Sequence, residues 1–162
     1  MTQIKKIPRR LERIFAFKVL YGLCFCPADS EEDLLRACSL APEQPKGMET
    51  GFADSHAWRL IRGVWANRDD LDRRIGGLSQ NWRPERMGRV ELTLLRLALY
   101  ELLFYRDTPP RVVINEAVEI SRQFGDEIAR GFVNGIIDAA ARNMDEAYSP
   151  DRPGLAAAPG KI

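Results

Sequence analysis

The sequence has a single histidine, His56, and only three cysteines, Cys24, Cys26 and Cys38. A structural zinc site normally needs four Cys or His ligands. These residues reach four only by using every one of them, and the C-x-C spacing of Cys24 and Cys26 is not a usual zinc spacing. The odd cysteine count, behind a basic start without an apolar stretch, points to the reducing cytoplasm. No apolar run approaches the roughly 18 residues of a membrane span. No glycine-rich phosphate loop follows a strand pattern, and Gly76-Gly77 merely interrupts a helical one. His56 falls at an expected helix start and reads as a surface or capping residue. Cys24 and Cys26, beside Phe25, read as small core residues. Carboxylate pairs such as Glu116 and Glu119 fall on expected exposed helix positions and read as solvated faces. No enzyme site emerges, and no metal or cofactor is called for.

Net charge is also scarce, at +1 from 24 Lys and Arg against 23 Asp and Glu. Taken alone, that total argues against a nucleic-acid partner. The charge is sorted into blocks, however. Residues 1–24 hold six basic groups against one acidic, a surplus of +5. Residues 25–54 hold two against seven, or −5. Residues 55–90 hold eight against four, or +4, and residues 91–147 six against ten, or −4. Salt screens charges beyond roughly 8–10 Å, so a partner meeting one face feels a block and not the sum.

What is present in quantity is helical periodicity. The chain has 162 residues, 45% of them apolar, enough for one packed domain. Residues 9–24 show the spacing of a helix, with Pro8 suited to the first helical position. Residues 27–54 are acidic and punctuated by Pro27, Pro42, Pro45, Gly47 and Gly51. Ser30 there can cap one short helix through Ala41, and the rest reads as loop. Residues 55–67 and 69–82 are expected as helices, the second broken at Arg83-Pro84. Residues 86–105 carry seven apolar positions, from Met87 to Tyr105, at spacings of three or four, which predicts the central helix. Thr108-Pro109-Pro110 is a rigid turn. Residues 113–124 predict a helix with Gly125 as a left-handed C-cap, although Val112-Val113-Ile114 has strand propensity and nothing to pair with. Residues 127–144 predict the last helix, where Gly131 and Gly135 would let another helix approach. The reading is an all-α fold of about six or seven helices. It divides into a flexible basic arm (1–8), a helical body (9–147) with an acidic, proline-rich insertion (27–54), and a disordered tail (148–162).

One cluster stands out. Lys6, Arg9, Arg10 and Arg13 follow the i, i+3, i+4, i+7 pattern of one helix face, an arc roughly 100° wide. Leu11, Ile14 and Phe15 fall on the other side. The expectation is a helix that docks by its apolar face and turns its guanidinium groups outward. Arginine forks match phosphate and stack on unpaired bases, and Lys5 and Lys6 add a mobile basic arm. Arginines at this spacing repel one another unless something anionic lies across them. Tyr21, on the same helix, suits either base stacking or the core.

Three blocks of the second half stand out in order: LLRLALYEL (94–102), INEAVEISRQFG (114–125) and FVNGIID (132–138). In these the chain resembles the NusB family of bacterial transcription antitermination factors. The segment RRLERIFAFKVLYG is similar to that family's arginine-rich first helix. The resemblance spans roughly 9–142. It implies an all-helical, non-enzymatic protein that binds boxA RNA of nascent ribosomal RNA transcripts. It further implies pairing with NusE, a small-subunit ribosomal protein, in a complex with RNA polymerase and other Nus factors. By position, Lys5, Lys6, Arg9, Arg10 and Arg13 would grip RNA, with Arg130 and Phe132 at the start of the last helix extending that surface. Phe132 also fits the core stripe. Tyr21 and Glu91 would face NusE. Two features depart from the family pattern: the 27–54 stretch, which could fold back on the basic helix, and the Ala/Pro-rich tail.

Two other readings remain open. One is an RNA-binding module of a cytosine methyltransferase for ribosomal RNA, which would need a catalytic domain of a few hundred further residues. The other is a helical protein–protein interaction module or homodimer, whose arginine face meets an acidic surface.

Overall fold

The computed structural model describes residues 7–48, 51–79 and 82–147. Lys5, Lys6 and the tail from residue 148 lie outside the described residues, as do 49–50 and 80–81. The described residues form seven α-helices and no strand. They are α1 (Arg9–Gly22), α2 (Glu31–Leu40), α3 (His56–Ala66), α4 (Arg68–Leu78), α5 (Arg89–Phe104), α6 (Pro110–Phe124) and α7 (Glu127–Ala147). Short 3-10 turns at Phe52–Asp54 and Pro84–Arg86 connect them.

The continuous apolar pattern of α5 makes it the axis of the body. Leu94, Leu95, Leu97, Ala98, Leu99 and Leu102 are all buried, and α1, α3, α4, α6 and α7 pack around them. A helix apolar nearly all round has to be covered on most sides, and that sets the architecture. The second half of α1 behaves likewise: Phe15, Ala16, Phe17, Val19 and Leu20 are buried. Its partners differ by side, with α3 and α5 along its length and the Phe17 ring 4.8 Å from that of Phe124 at the end of α6. Pro8 stands one residue before α1, at its N-cap.

The acidic insertion is partly helical, as Ser30 indicates. The Ser30 hydroxyl accepts a hydrogen bond from the Asp33 N–H at 3.1 Å, and Glu31, Glu32 and Asp33 fill the first turn of α2, where carboxylates favour the positive end of the helix dipole. Leu34, Cys38 and Met48 plug this insertion into the core. Burial pushes the Cys38 thiol up to about 12. Cys24 is half-buried and Cys26 exposed, so the reading of both as core residues fails for Cys26. Val112-Val113-Ile114 lies within α6, where the fixed φ of Pro110 starts the helix and Val113 reaches the core.

Two glycines act through space. Gly125 is extended, with φ −116° and ψ 178°, and not the left-handed cap that its position suggested. A Cβ there would lie 3.1 Å from the Ser121 carbonyl oxygen and 3.2 Å from Ala129 Cβ, so a side chain at the α6–α7 corner would press on both neighbours. Gly63 lets α3 approach α5, because a Cβ would run into the Tyr100 ring. Gly131 and Gly135, by contrast, have open space beside them, with no helix of the described residues approaching there. Gly63→Ala is expected to destabilise the fold by about 1–3 kcal/mol, the usual cost of overpacking. Thermal unfolding checks this, and an unchanged midpoint would show that Tyr100 swings away freely.

Candidate nucleic-acid interface

The basic face of α1 turns toward the protein and not away from it. Residues seven apart share a helix face, so the arc bearing Arg10 and Arg13 continues into Phe17 and Leu20, which are buried. Only the first turn escapes this enclosure. Arg9 and Arg10 are exposed, with 49% and 54% of their side chains accessible. Arg13, one turn further in, keeps 7%. The expectation of an outward guanidinium stripe therefore holds for Arg9 and Arg10 and is corrected for Arg13.

What lies across the arginines is carboxylate from α5 and α6. The Arg13 Nε donates to both oxygens of Glu101, at 2.9 and 3.1 Å, and Arg13 Nη1 lies 3.7 Å from Glu116. The Arg10 Nε and Nη2 grip Glu116 at 2.6–3.2 Å. Glu116 is thus a nearly buried counter-ion, not the solvated face it was read as; Glu119 is exposed and pairs with Arg122 at 3.3 Å. Arg9 Nη1 donates to Glu12 at 3.1 Å. The other oxygen of Glu12 accepts the backbone N–H of His56 at 2.8 Å and so caps α3 from a neighbouring helix. The α1 arginines are matched one for one by Glu12, Glu101 and Glu116.

His56 is buried, which corrects its reading as a surface residue. Its ring stands edge-on to Tyr105 at 5.0 Å. Its Nε2 lies 3.4 Å from Glu101, too poorly aligned for a hydrogen bond among the described residues. Burial alone would raise the Glu101 carboxyl, but the Arg13 hydrogen bonds, aided by His56, hold it down at about 2. The same contacts keep Arg13 charged: burial disfavours its cation, and the bonds to Glu101 outweigh that. The Glu116 bonds raise Arg10 as well.

The other end of α1 carries a separate patch. The Cys24 sulfur lies 3.6 Å from the Thr93 hydroxyl, while Arg13 meets Glu101, so α1 and α5 run antiparallel. Tyr21 is half-buried, its ring 5.9 Å from Phe17 and 5.3 Å from Phe25. Phe25 is exposed, and the Arg89 guanidinium lies 4.3 Å above its ring. Glu91, half-buried in the first turn of α5, folds back over Gly88. Tyr21 and Glu91 thus share one end of the body, joined by Phe25 and Arg89. Sequence reasoning missed these last two; an aromatic beside the end of a helix was the available signal. Lys18, midway along α1, pairs with Glu43, the one contact by which the acidic insertion folds back on the basic helix among the described ion pairs.

Arg130 and Phe132 are both half-buried. Two residues apart on α7, they lie about 200° apart and flank the core face on opposite sides. Phe132 meets the Trp82 ring at 5.9 Å.

Seven helices around a buried axis, with arginines at one end of α1 and an aromatic patch at the other, define an all-helical binding module. The model of the NusB family matches residues 10–142. The chain belongs to that family. It is 51% identical to the transcription antitermination protein NusB of Nitratidesulfovibrio vulgaris, covering 89% of this chain and 93% of that one. The counterpart from Desulfovibrio desulfuricans is also 51% identical, over 90% and 91%. Among solved structures, T. maritima NusB superposes with a TM-score of 0.71 at 36% identity, covering 85% of this chain and 93% of that one. A crystal structure of the antitermination factors NusB and NusE in complex with double-stranded RNA matches with a TM-score of 0.69 at 25% identity, covering 88% and 99%.

The buried pair sets a pH response. Glu101 has a folded value of about 2, below the roughly 4.3 of an unfolded glutamate. Its contribution is complete above the unfolded value and is lost as pH falls from about 5 toward 2. Unfolding midpoints measured across that window should fall. Glu101→Gln should remove part of that slope and cost about 3–5 kcal/mol at pH 7, because the Arg13 charge would stay buried without its partner. A variant as stable as the parent would show the pair to be dispensable.

Proposed function

We propose that this protein is a transcription antitermination factor. It binds boxA-type single-stranded RNA of nascent ribosomal RNA transcripts together with NusE, in a complex with RNA polymerase and other Nus factors. The observation that carries the RNA part is the exposed end of α1. There Glu116 holds two nitrogens of Arg10 and leaves Nη1 without an acceptor among the described residues, a guanidinium fixed in place with one edge turned to solvent. A fork so positioned can take a phosphate oxygen without first being ordered. Family membership and the likeness to a NusB–NusE–RNA complex support the same reading.

In this reading Arg9 and Arg10, with Lys5 and Lys6 preceding them, contact RNA. Arg13 serves the site from beneath by orienting Glu116 and Glu101. Phe132 extends the RNA surface on one flank of α7, and Arg130 stands on the other. Tyr21 and Glu91 face NusE at the opposite end of α1. The protein carries out no catalytic step and works in the cytoplasm, where bacterial transcription takes place. No helix of the described residues is long and apolar enough to cross a membrane.

Titrating labelled boxA-like and scrambled RNA, with and without NusE, tests the function directly: preference for boxA, strengthened by NusE, is the expected result. Arg10→Ala should weaken RNA binding by about 1–2 kcal/mol, as for a charge-assisted contact, and lower the unfolding midpoint only slightly, because Arg13 still faces Glu116 at 3.7 Å. A lowered midpoint with unaltered affinity would make Arg10 purely structural. With about four phosphates neutralised, the logarithmic salt slope should be near −3, at about 0.7 per single-strand contact. A slope near zero would remove the first turn of α1 from the interface.

A further inference from the structure

Trp82 is an aromatic that the fold leaves uncovered. It is 56% exposed, whereas Trp58 is buried and Trp65 is half-buried, its indole N–H held by the Ala28 carbonyl at 3.0 Å. The backbone under Trp82 is tied down. Its N–H donates to the Ser79 hydroxyl at 3.1 Å, and that hydroxyl donates in turn to the Trp82 carbonyl. The indole meets the Phe132 ring edge-to-face at 5.9 Å. Ile128, one turn before Phe132 on the same flank of α7, is 83% exposed. The flank therefore shows an exposed apolar surface made by two elements far apart in sequence.

Its surroundings are basic. Arg83 and Arg86 follow Trp82 directly and are exposed. The 3-10 turn Pro84–Arg86 closes with the Arg86 N–H on the Arg83 carbonyl at 2.9 Å. Arg83 stands at the N-cap of this turn and Arg86 at its last residue, so both flank the same short segment. Neither arginine has a carboxylate within ion-pair distance among the described residues, in contrast to Arg9, Arg10 and Arg13. An aromatic ring beside unpaired cations is the pairing that holds single-stranded nucleic acid: the ring stacks a base and the cations follow the backbone.

We propose that Trp82, backed by Phe132, is a base-stacking residue for single-stranded RNA, with Arg83 and Arg86 holding the adjoining phosphates. This rests on the RNA-binding reading above and adds a second point of contact, remote in sequence from the arginines of α1. The ring takes any unpaired base, because every base has a π face, so Trp82 contributes affinity and register and not the choice of sequence.

Fluorescence tests it, since Trp82 is the most exposed tryptophan of the three. Adding boxA-like RNA to the full chain should quench the emission, and Trp82→Phe should abolish most of that change while binding persists. Trp82→Ala should weaken binding at least about fivefold, with an unchanged circular dichroism spectrum. An abasic nucleotide walked along the RNA should cost the parent affinity at one position and cost Trp82→Ala nothing there. RNA that binds the parent and Trp82→Ala equally, with no quenching in either, would overturn this proposal and leave the antitermination reading intact. Quenching by NusE alone, with RNA affinity unchanged in Trp82→Ala, would overturn it in favour of a protein contact. RNA that fails to bind the parent at all would overturn both.

Discussion

The Arg13–Glu101 pair is the interaction on which the rest of the structure depends. It joins the first helix to the central one inside the body, where both side chains are almost wholly buried. A buried ion pair contributes little net stability compared with well-packed apolar residues, but breaking it leaves a charge stranded. Its main effect is on register. Sliding α1 along α5 by one turn would part Arg13 from Glu101 and Arg10 from Glu116 together. It would also withdraw Glu12 from the start of α3. Three helices are therefore indexed to α1 by carboxylate contacts, and the apolar core fills the space that this indexing defines.

The same network explains how a helix end rich in arginine can stay ordered with no partner present. Each guanidinium repels its neighbours, and each has a carboxylate at hand. Glu12 is local to α1, while the counter-charges of Arg13 and Arg10 come from 88 and 106 residues away in the sequence. The protein thus supplies its own anions beneath the arginines and leaves their outer edges for another.

The fold was legible in the sequence because its strongest signal, the apolar run of α5, is also its structural axis. Ser30 named the start of α2 through local chemistry alone, whereas Pro109-Pro110 read as a turn and α6 begins three residues before the expected 113, because the fixed φ of Pro110 suits a first helical position. The site was legible only in part. Periodicity grouped Arg9, Arg10 and Arg13 on one arc, but a helix enclosed on nearly all sides has no solvent face for that arc to occupy. Reading the arc seven residues further, to Phe17 and Leu20, would have shown it entering the core. Glu116 and His56 were misread for a related reason: whether a polar side chain is solvated depends on what packs against it, and their partners lie in other helices. Gly125 suggested a backbone conformation where the structure needs an empty volume. Trp82 gave no local signal, since its exposure depends on the path of α7.

The antiparallel course of α1 and α5 has a consequence for assembly. Fourteen residues of α1 at 1.5 Å each make a rod of about 21 Å. Arg10 stands near one tip, and Tyr21 with Phe25 near the other. Two ligands held at the two tips need not touch each other on this protein. In the proposed assignment, with RNA at one tip and a protein at the other, the helix would act as a measuring bar that sets how far apart the two are presented to whatever third body gathers them.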